Sequence, residues 1–256
     1  MDIYILVSLI IILFVILYKK NIENFENKIY KIQDIIDQIY IINMDKDKNR
    51  MKNLDKKMKN LGLNYNRITG VDGNKVYKKY KTKYNTKLRP GQLGCLLSHQ
   101  NVLKDAIKNN YTNILVLEDD IIFHKNFHDE FKKKYKYLID REKNVDLLYL
   151  GCSQKHKWKD IKLNRHYYNS KKIDGTFAMI INKILFKPIL EKSSKLEKPI
   201  DRILYYYFQE KKKSFCFNPN IITVKLNTFS NTENIIFNDN KYYKKNKIDI
   251  NNFDNL

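Results

Sequence analysis

The order of apolar runs and amphipathic stretches predicts an α/β fold, a mainly parallel sheet flanked by helices. Three observations carry this. Runs such as Asn113 to Phe123 and Val145 to Leu150 are rich in branched apolar residues and do not alternate with polar ones, so they read as strands covered on both faces. They alternate with stretches whose apolar residues recur every three or four positions, the pattern of helices that cross between parallel strands. The chain has 256 residues and is 43% hydrophobic, which suits one sizeable domain with appendages.

Ile3 to Tyr18 is apolar throughout except for Ser8, and Lys19 and Lys20 follow. It falls slightly short of the ~20 residues usual for a bilayer span, but the lysines can reach the interface. No small-residue cleavage site follows, so residues 1–20 read as an uncleaved, single-pass membrane anchor; a buried N-terminal helix is the alternative. With Asp2 before the segment and two lysines after it, the positive-inside rule places the bulk of the protein in the cytosol. Residues 21–38 form a polar stem. In it Ile22, Phe25, Ile29, Ile32, Ile36 and Ile39 make a heptad-like seam, able either to form a homodimer or to pack on the domain.

Residues 39–237 hold the main domain. Ile39 to Met44 is the first strand; Met51, Leu54, Met58 and Leu61 mark a helix face stopped by Gly62. Asn64 to Ile68 is the second strand, Val71-Asp72-Gly73 a turn, and Lys75 to Lys87 a basic loop. Pro90 opens a helix with Leu96, Leu103 and Ile107 inward. After the strand in 113–123, Phe127, Phe131, Tyr135 and Leu138 form another stripe, and Val145 to Leu150 another strand. Gln154 to Lys172 reads as a loop, Thr176 to Ile181 as a strand, Lys183 to Glu191 and Pro199 to Phe208 as helices, and strands follow near Phe215 and Ile221. Residues 238–256, rich in Asn and Lys, read as a disordered tail.

The net charge is 49 − 28 = +21. Only six of the 49 cations are arginine, and Lys, Asn, Ile and Tyr abound while alanine is rare. That bias follows A/T-rich codons, so the charge is discounted as a sign of function. Nucleic-acid readers cluster arginine for bidentate contacts, which this chain does not, so no nucleic-acid partner is expected; a non-catalytic protein that binds nucleic acid or anionic lipid through lysine is the competing class. Cys95, Cys152 and Cys216 lack paired metal spacing and read as small hydrophobes in a reducing compartment.

The chemistry concentrates at Glu118-Asp119-Asp120, three carboxylates at the end of an apolar strand. Such packing is costly unless a cation offsets it, and Mg²⁺ or Mn²⁺ prefer carboxylate oxygen. Ligands in open α/β sheets also bind at the carboxyl ends of strands. An acidic turn with no ligand is the plain alternative. In an extended segment Glu118 and Asp120 share one side and Asp119 takes the other.

Several ordered motifs add to this: Tyr40-Ile-Ile-Asn-Met-Asp-Lys-Asp-Lys-Asn-Arg50, Arg67-Ile-Thr-Gly-Val-Asp-Gly73, Gly91-Gln-Leu-Gly-Cys-Leu-Leu-Ser-His99, Leu117-Glu-Asp-Asp120 and Lys198-Pro-Ile-Asp201. Together they resemble glycosyltransferase family 25, the group of bacterial lipooligosaccharide galactosyltransferases and collagen galactosyltransferases. Ser230-Asn-Thr-Glu233 resembles its last motif, with Asn231 in place of an acid. The resemblance implies a GT-A, Rossmann-type fold and an inverting, metal-dependent enzyme that moves a hexose, galactose or glucose, from a UDP-sugar. The acceptor would be a glycan, lipid-linked or collagen-like. On the matching positions it implies Glu118 and Asp120 at the metal, with Asp119 at ribose or metal. Asn43, Arg50, Asp72, Ser98 and His99 would contact the donor, and Asp201 would be the catalytic base. Ser98 and His99 are expected near a helix start, where free amides favour phosphate. No histidine follows His166, so oxygen or water would replace the late histidine ligand common in GT-A enzymes. An inactive relative kept as a scaffold is a further alternative.

Overall fold

A computed structural model describes residues 10–17, 30–154, 164–171, 173–226, 231–232, 242–244 and 247–254. Residues 10–17 are helical (α1) and exposed. Among the described residues no helix is long and apolar enough to cross a membrane; the remainder of the expected anchor, the stem positions Ile22, Phe25 and Ile29, and residues 155–163 of the expected loop lie outside them.

The main domain runs β1 (Gln38–Asn43), α2 (Lys48–Asn60), β2 (Asn66–Thr69), α3 (Gly73–Tyr84), α4 (Pro90–Lys108), β3 (Asn113–Glu118), β4 (Ile121–Phe123), α5 (Phe127–Ile139), β5 (Leu147–Tyr149), β6 (Ser153–Gln154), β7 (Tyr167–Asn169), β8 (Ile173–Asp174), β9 (Ala178–Asn182), α6 (Phe186–Ser193), α7 (Ile200–Tyr207), β10 (Ser214–Phe217) and β11 (Ile222–Val224). Seven strands form one sheet in the order β2-β1-β3-β9-β5-β10-β7. β2, β1, β3, β5 and β10 run one way; β9 and β7 run against them. The mainly parallel sheet is therefore present, with an antiparallel strand in its middle.

Alternation along the strands splits the core into two layers. Tyr40, Ile114 and Val116 face α4, α6 and α7 through Leu93, Leu96, Leu103, Ile189 and Leu204. Ile39, Ile41, Leu115 and Leu117 face α2 and α5 through Leu54, Met58, Phe127, Phe131 and Leu138. Side chains on a strand point to opposite faces in turn, so the continuous apolar runs cover both sides, as the sequence predicts. α2 ends where Gly62 takes φ +63°, a left-handed value that glycine adopts without steric cost.

Four expectations are corrected. Lys75 to Lys87 is not a loop: α3 occupies 73–84, its first turn capped by the Asp72 carboxylate, which accepts from the Asn74 amide at 3.0 Å. Val76, Tyr77 and Tyr80 pack on the core, a helical stripe hidden among lysines. The expected loop 154–172 contains β7, which pairs with β10. The stem does not continue as a helix to residue 38; Ile32–Asp34 form a 3-10 turn, and Ile32, Ile36 and Ile39 are buried in the α2/α5 layer. Those three seam residues take the second of the two expected roles, packing on the domain, and cannot form a dimer seam. Finally, the described parts of the expected disordered tail pack on the domain: Ile248 and Phe253 bury against Ile122, and Phe253 bridges to His124.

Truncating Ile32, 1% exposed, leaves a cavity, so Ile32→Ala should cost about 2–4 kcal/mol. Thermal melts should show it as a lowered Tm with no change of mass by light scattering; a change in oligomeric state at constant Tm would contradict this placement.

Candidate active site

β1 and β3 run in parallel register, with Ile42 opposite Glu118, so Asn43 and the acidic triplet emerge at the same carboxyl edge. β9 closes the other side of β3, where the Glu118 amide donates to the Phe177 carbonyl at 3.0 Å. This brings the Thr176 hydroxyl to Glu118 Oε1 at 2.8 Å. A pocket at this edge is lined by Arg50, Cys95, Ser98, His99, Glu118, Asp119 and Asp120, with Asn231 and Thr232 at its border.

Glycines allow its third wall. A Cβ on Gly94 would meet the Val71 carbonyl at 2.4 Å, and one on Gly91 would meet the Asn231 carbonyl at 2.5 Å. Only hydrogen at these positions lets α4 lie directly on the backbone of the 71–73 turn and of residues 231–232. One turn beyond Gly94, Ser98 Oγ accepts from the Val71 amide at 2.8 Å and donates to the Gly94 carbonyl at 2.7 Å, locking the turn to the helix.

The three carboxylates meet unequal surroundings. Asp119 accepts from Asn43 Nδ2 at 2.6 Å and from Arg50 Nη1 at 3.2 Å; burial still holds its pKa above the ordinary range. For Glu118 burial pushes upward, but His99, Thr176 and Arg50 outweigh it and leave the pKa lowered. Asp120 lies 3.9 Å from Arg50, and its Oδ1 is buried with no hydrogen-bond partner among the described residues. Burial, then the Glu118 and Asp119 charges, push it up to about 7.

Arg67 donates to Asn43 Oδ1 at 2.9 Å, to its carbonyl at 3.2 Å and to Asp45 at 2.6 Å. Motif positions far apart in sequence thus form one network behind the pocket. Asn231, where the resemblance expects an acid, donates to Asp47 Oδ2 at 2.7 Å; an aspartate there would face another carboxylate.

The structure brings together Asn43, Arg50, Ser98, His99, Glu118, Asp119 and Asp120 and leaves two expected residues apart. Asp72 caps α3. Asp201 lies in the first turn of α7, outside the pocket lining, its Oδ1 accepting from the Arg202 amide; burial, then the Glu118 charge, raise the Cys95 pKa, and Asp201 is near enough to add to them. The expectation that Ser98 and His99 meet free amides fails, because α4 starts at Pro90 and both lie more than two turns inside it, where amides bond along the helix. The strict alternation of the triplet fails too: β3 ends at Glu118 and the chain turns at 119–120, so Asp119 and Asp120 both reach Arg50. Cys95, Thr176 and Arg67 were not anticipated at the site. Cys95 reads as packing, Thr176 arrives only through β9, and the legible sign was that Arg67 and Cys95 each fall within a matched motif.

The sequence model of glycosyltransferase family 25 (LPS biosynthesis protein) matches residues 36–204. The chain belongs to glycosyltransferase family 25. The match ends before Asn231, where the last motif departs. Relatives of this family 25 chain include a procollagen lysyl hydroxylase and glycosyltransferase of Acanthamoeba polyphaga mimivirus, 27% identical over 86% of this chain and 28% of that protein. A glycosyltransferase 25 family member of Aedes aegypti is 26% identical over 52% of this chain and 24% of its own length. Procollagen galactosyltransferase 2 of Homo sapiens is 27% identical over 45% and 20%. The chain thus spans about a quarter of the length of these curated relatives.

The raised Asp120 pKa sets a pH dependence. The unfolded carboxyl ionises near 3.8, while the folded one keeps its proton up to about 7. Between these values folding takes up a proton, so stability falls as pH rises, by at most about 1.4 kcal/mol per pH unit. In metal-free buffer Asp120→Asn should melt above the native protein at pH 8, and the gap should close by pH 4. A gap constant over that range would contradict the assignment.

Proposed function

We propose that this chain is a metal-dependent, inverting hexosyltransferase that takes galactose or glucose from a UDP-sugar and passes it to a glycan, lipid-linked or collagen-like acceptor. The observation that carries the reading is the buried Asp120 Oδ1, without a partner among the described residues, beside two further carboxylates and within reach of Arg50. An oxygen-rich corner carrying this much negative charge fits a hard cation. Asp120 and Glu118 would hold Mn²⁺ or Mg²⁺, and a bound ion would offset the charge that grows on the departing diphosphate.

The chain's own residues do the rest. Asn43 and Arg50 fix Asp119 so that its carboxylate can orient the ribose or the metal's water. Arg50 also offers positive charge to a diphosphate. His99, with Nε2 buried and lacking a partner among the described residues, can donate to phosphate or sugar. Ser98 acts as a positioning residue, since its hydroxyl is engaged with the backbone. Asp201 is the proposed base that takes the acceptor hydroxyl's proton, and Asp72 serves the donor side by holding α3 in place. The name of the mimivirus relative supports a collagen-like acceptor. Residues 1–20 would tether the enzyme to a membrane with the domain in the cytosol; a C-terminal tag fully shielded from protease in intact vesicles would overturn that orientation.

Incubation with a panel of nucleotide sugars and Mn²⁺ should release UDP. Asp120→Asn should lower turnover by roughly 10²-fold or more and abolish the Tm rise that Mn²⁺ gives the native protein at pH 8. Asp201→Asn should lower kcat by about 10²–10⁴-fold while preserving the Mn²⁺-induced Tm rise. Native-like turnover in Asp120→Asn ends the metal reading, and native-like kcat in Asp201→Asn ends the base assignment.

A further inference from the structure

Cys95 and His99 stand four residues apart on α4, so both side chains share one helix face, and Glu118 at the end of β3 meets them. The thiol, the imidazole and the carboxylate each offer one donor atom, and the three atoms lie within 4.8 Å of one another. His99 is 2% exposed, and its Nε2, 3.7 Å from Glu118 Oε1, has no hydrogen-bond partner among the described residues. A buried imidazole nitrogen without a partner carries a desolvation cost that a metal bond would remove.

We propose that Cys95, His99 and Glu118 form a binding site for a thiophilic divalent cation of the zinc class, with a donor set different from the all-oxygen corner at Asp120. Sulfur, nitrogen and oxygen together suit Zn²⁺, whereas Mg²⁺ and Mn²⁺ favour oxygen alone. With bonds of ~2.0–2.3 Å in a tetrahedron, donor atoms sit roughly 3.3–3.8 Å apart. The His99–Glu118 pair already has that spacing, and Cys95 closes the set by moving about 1 Å. Three protein donors leave the fourth position open to water or a ligand oxygen. Thr176 donates to the same Glu118 Oε1 at 2.8 Å and fixes the carboxylate, as outer partners commonly orient metal ligands. On binding, the Cys95 thiol loses its proton to solvent and the sulfur–metal bond forms without change of oxidation state. Because Glu118 belongs to both donor sets, occupancy draws it from the hard-cation corner and opposes the activity proposed above. The binding itself does not rest on that activity.

Cadmium titration of the reduced full chain tests this. The expected result is one equivalent bound with a thiolate-to-cadmium charge-transfer band in the ultraviolet. Cys95→Ala should lose the band and bind Cd²⁺ at least about tenfold more weakly, with His99→Gln similarly weakened. The Cys152→Ser/Cys216→Ser double variant is the control for the other close sulfurs, which lie 3.0 Å apart, and should keep the band. Persistence of the band in Cys95→Ala, its loss in the control, or no band in the native chain overturns the proposal. Should Cys95→Ala fail to fold, Co²⁺ added to the native chain decides: a tetrahedral visible spectrum with sulfur-to-cobalt charge transfer supports the site, and an octahedral spectrum overturns it.

Discussion

Glu118, Asp119 and Asp120 bring three carboxyl groups to the end of a strand whose residues 114–117 are wholly buried, and the neighbouring elements are arranged around that electrostatic load. The compensation is unequal. Asp119 receives an amide and a guanidinium, and Glu118 a hydroxyl with an imidazole nearby, while Asp120 Oδ1 receives nothing among the described residues. A site designed only for stability would end that strand in neutral residues, since uncompensated buried charge is among the costliest features a fold can carry. Retaining it makes sense where the charge is used.

Holding the acids in place requires two backbones to touch. Gly73, Gly91 and Gly94 let α4 lie directly against the turn before α3 and against residues 231–232. The same contact sets Cys95, Ser98 and His99 against β3. Any side chain at Gly94 would push the helix away and open the pocket wall, so the spacing of glycine, cysteine, serine and histidine in this helix is a steric specification as much as a chemical one.

Strand and helix order, the two-faced burial of β1 and β3, and the acidic triplet were legible because they are local: continuous apolar runs, a terminating Gly62 and carboxylates in series. The Asn43–Arg67 link and the Arg50–Asp119 pair were readable only as separate motif fragments, since sequence does not state who meets whom. α3 was hidden because its apolar stripe of Val76, Tyr77 and Tyr80 is embedded in lysines that mimic a solvated loop. Ile32, Ile36 and Ile39 show a further ambiguity: steps of three and four fit a self-associating helix, yet here a 3-10 turn, the link after it and a strand deliver the same residues to the core. Ser98 was placed by its motif, but its hydroxyl is consumed by backbone groups that no local pattern foretells.

β9 lies between β3 and β5 and runs against both, with Asn182 opposite Asn113. During synthesis β1, β2 and β3 can assemble with α2 and α4 as they leave the ribosome, but β3 keeps one bare edge until the chain has grown about sixty residues further. Such distant pairings carry a loop-closure cost that slows folding. Thr176, which steadies Glu118, arrives with that late strand. The acidic corner is therefore among the last places in the nascent chain to take shape, and an unpaired apolar edge is what a chaperone would meet in the interval.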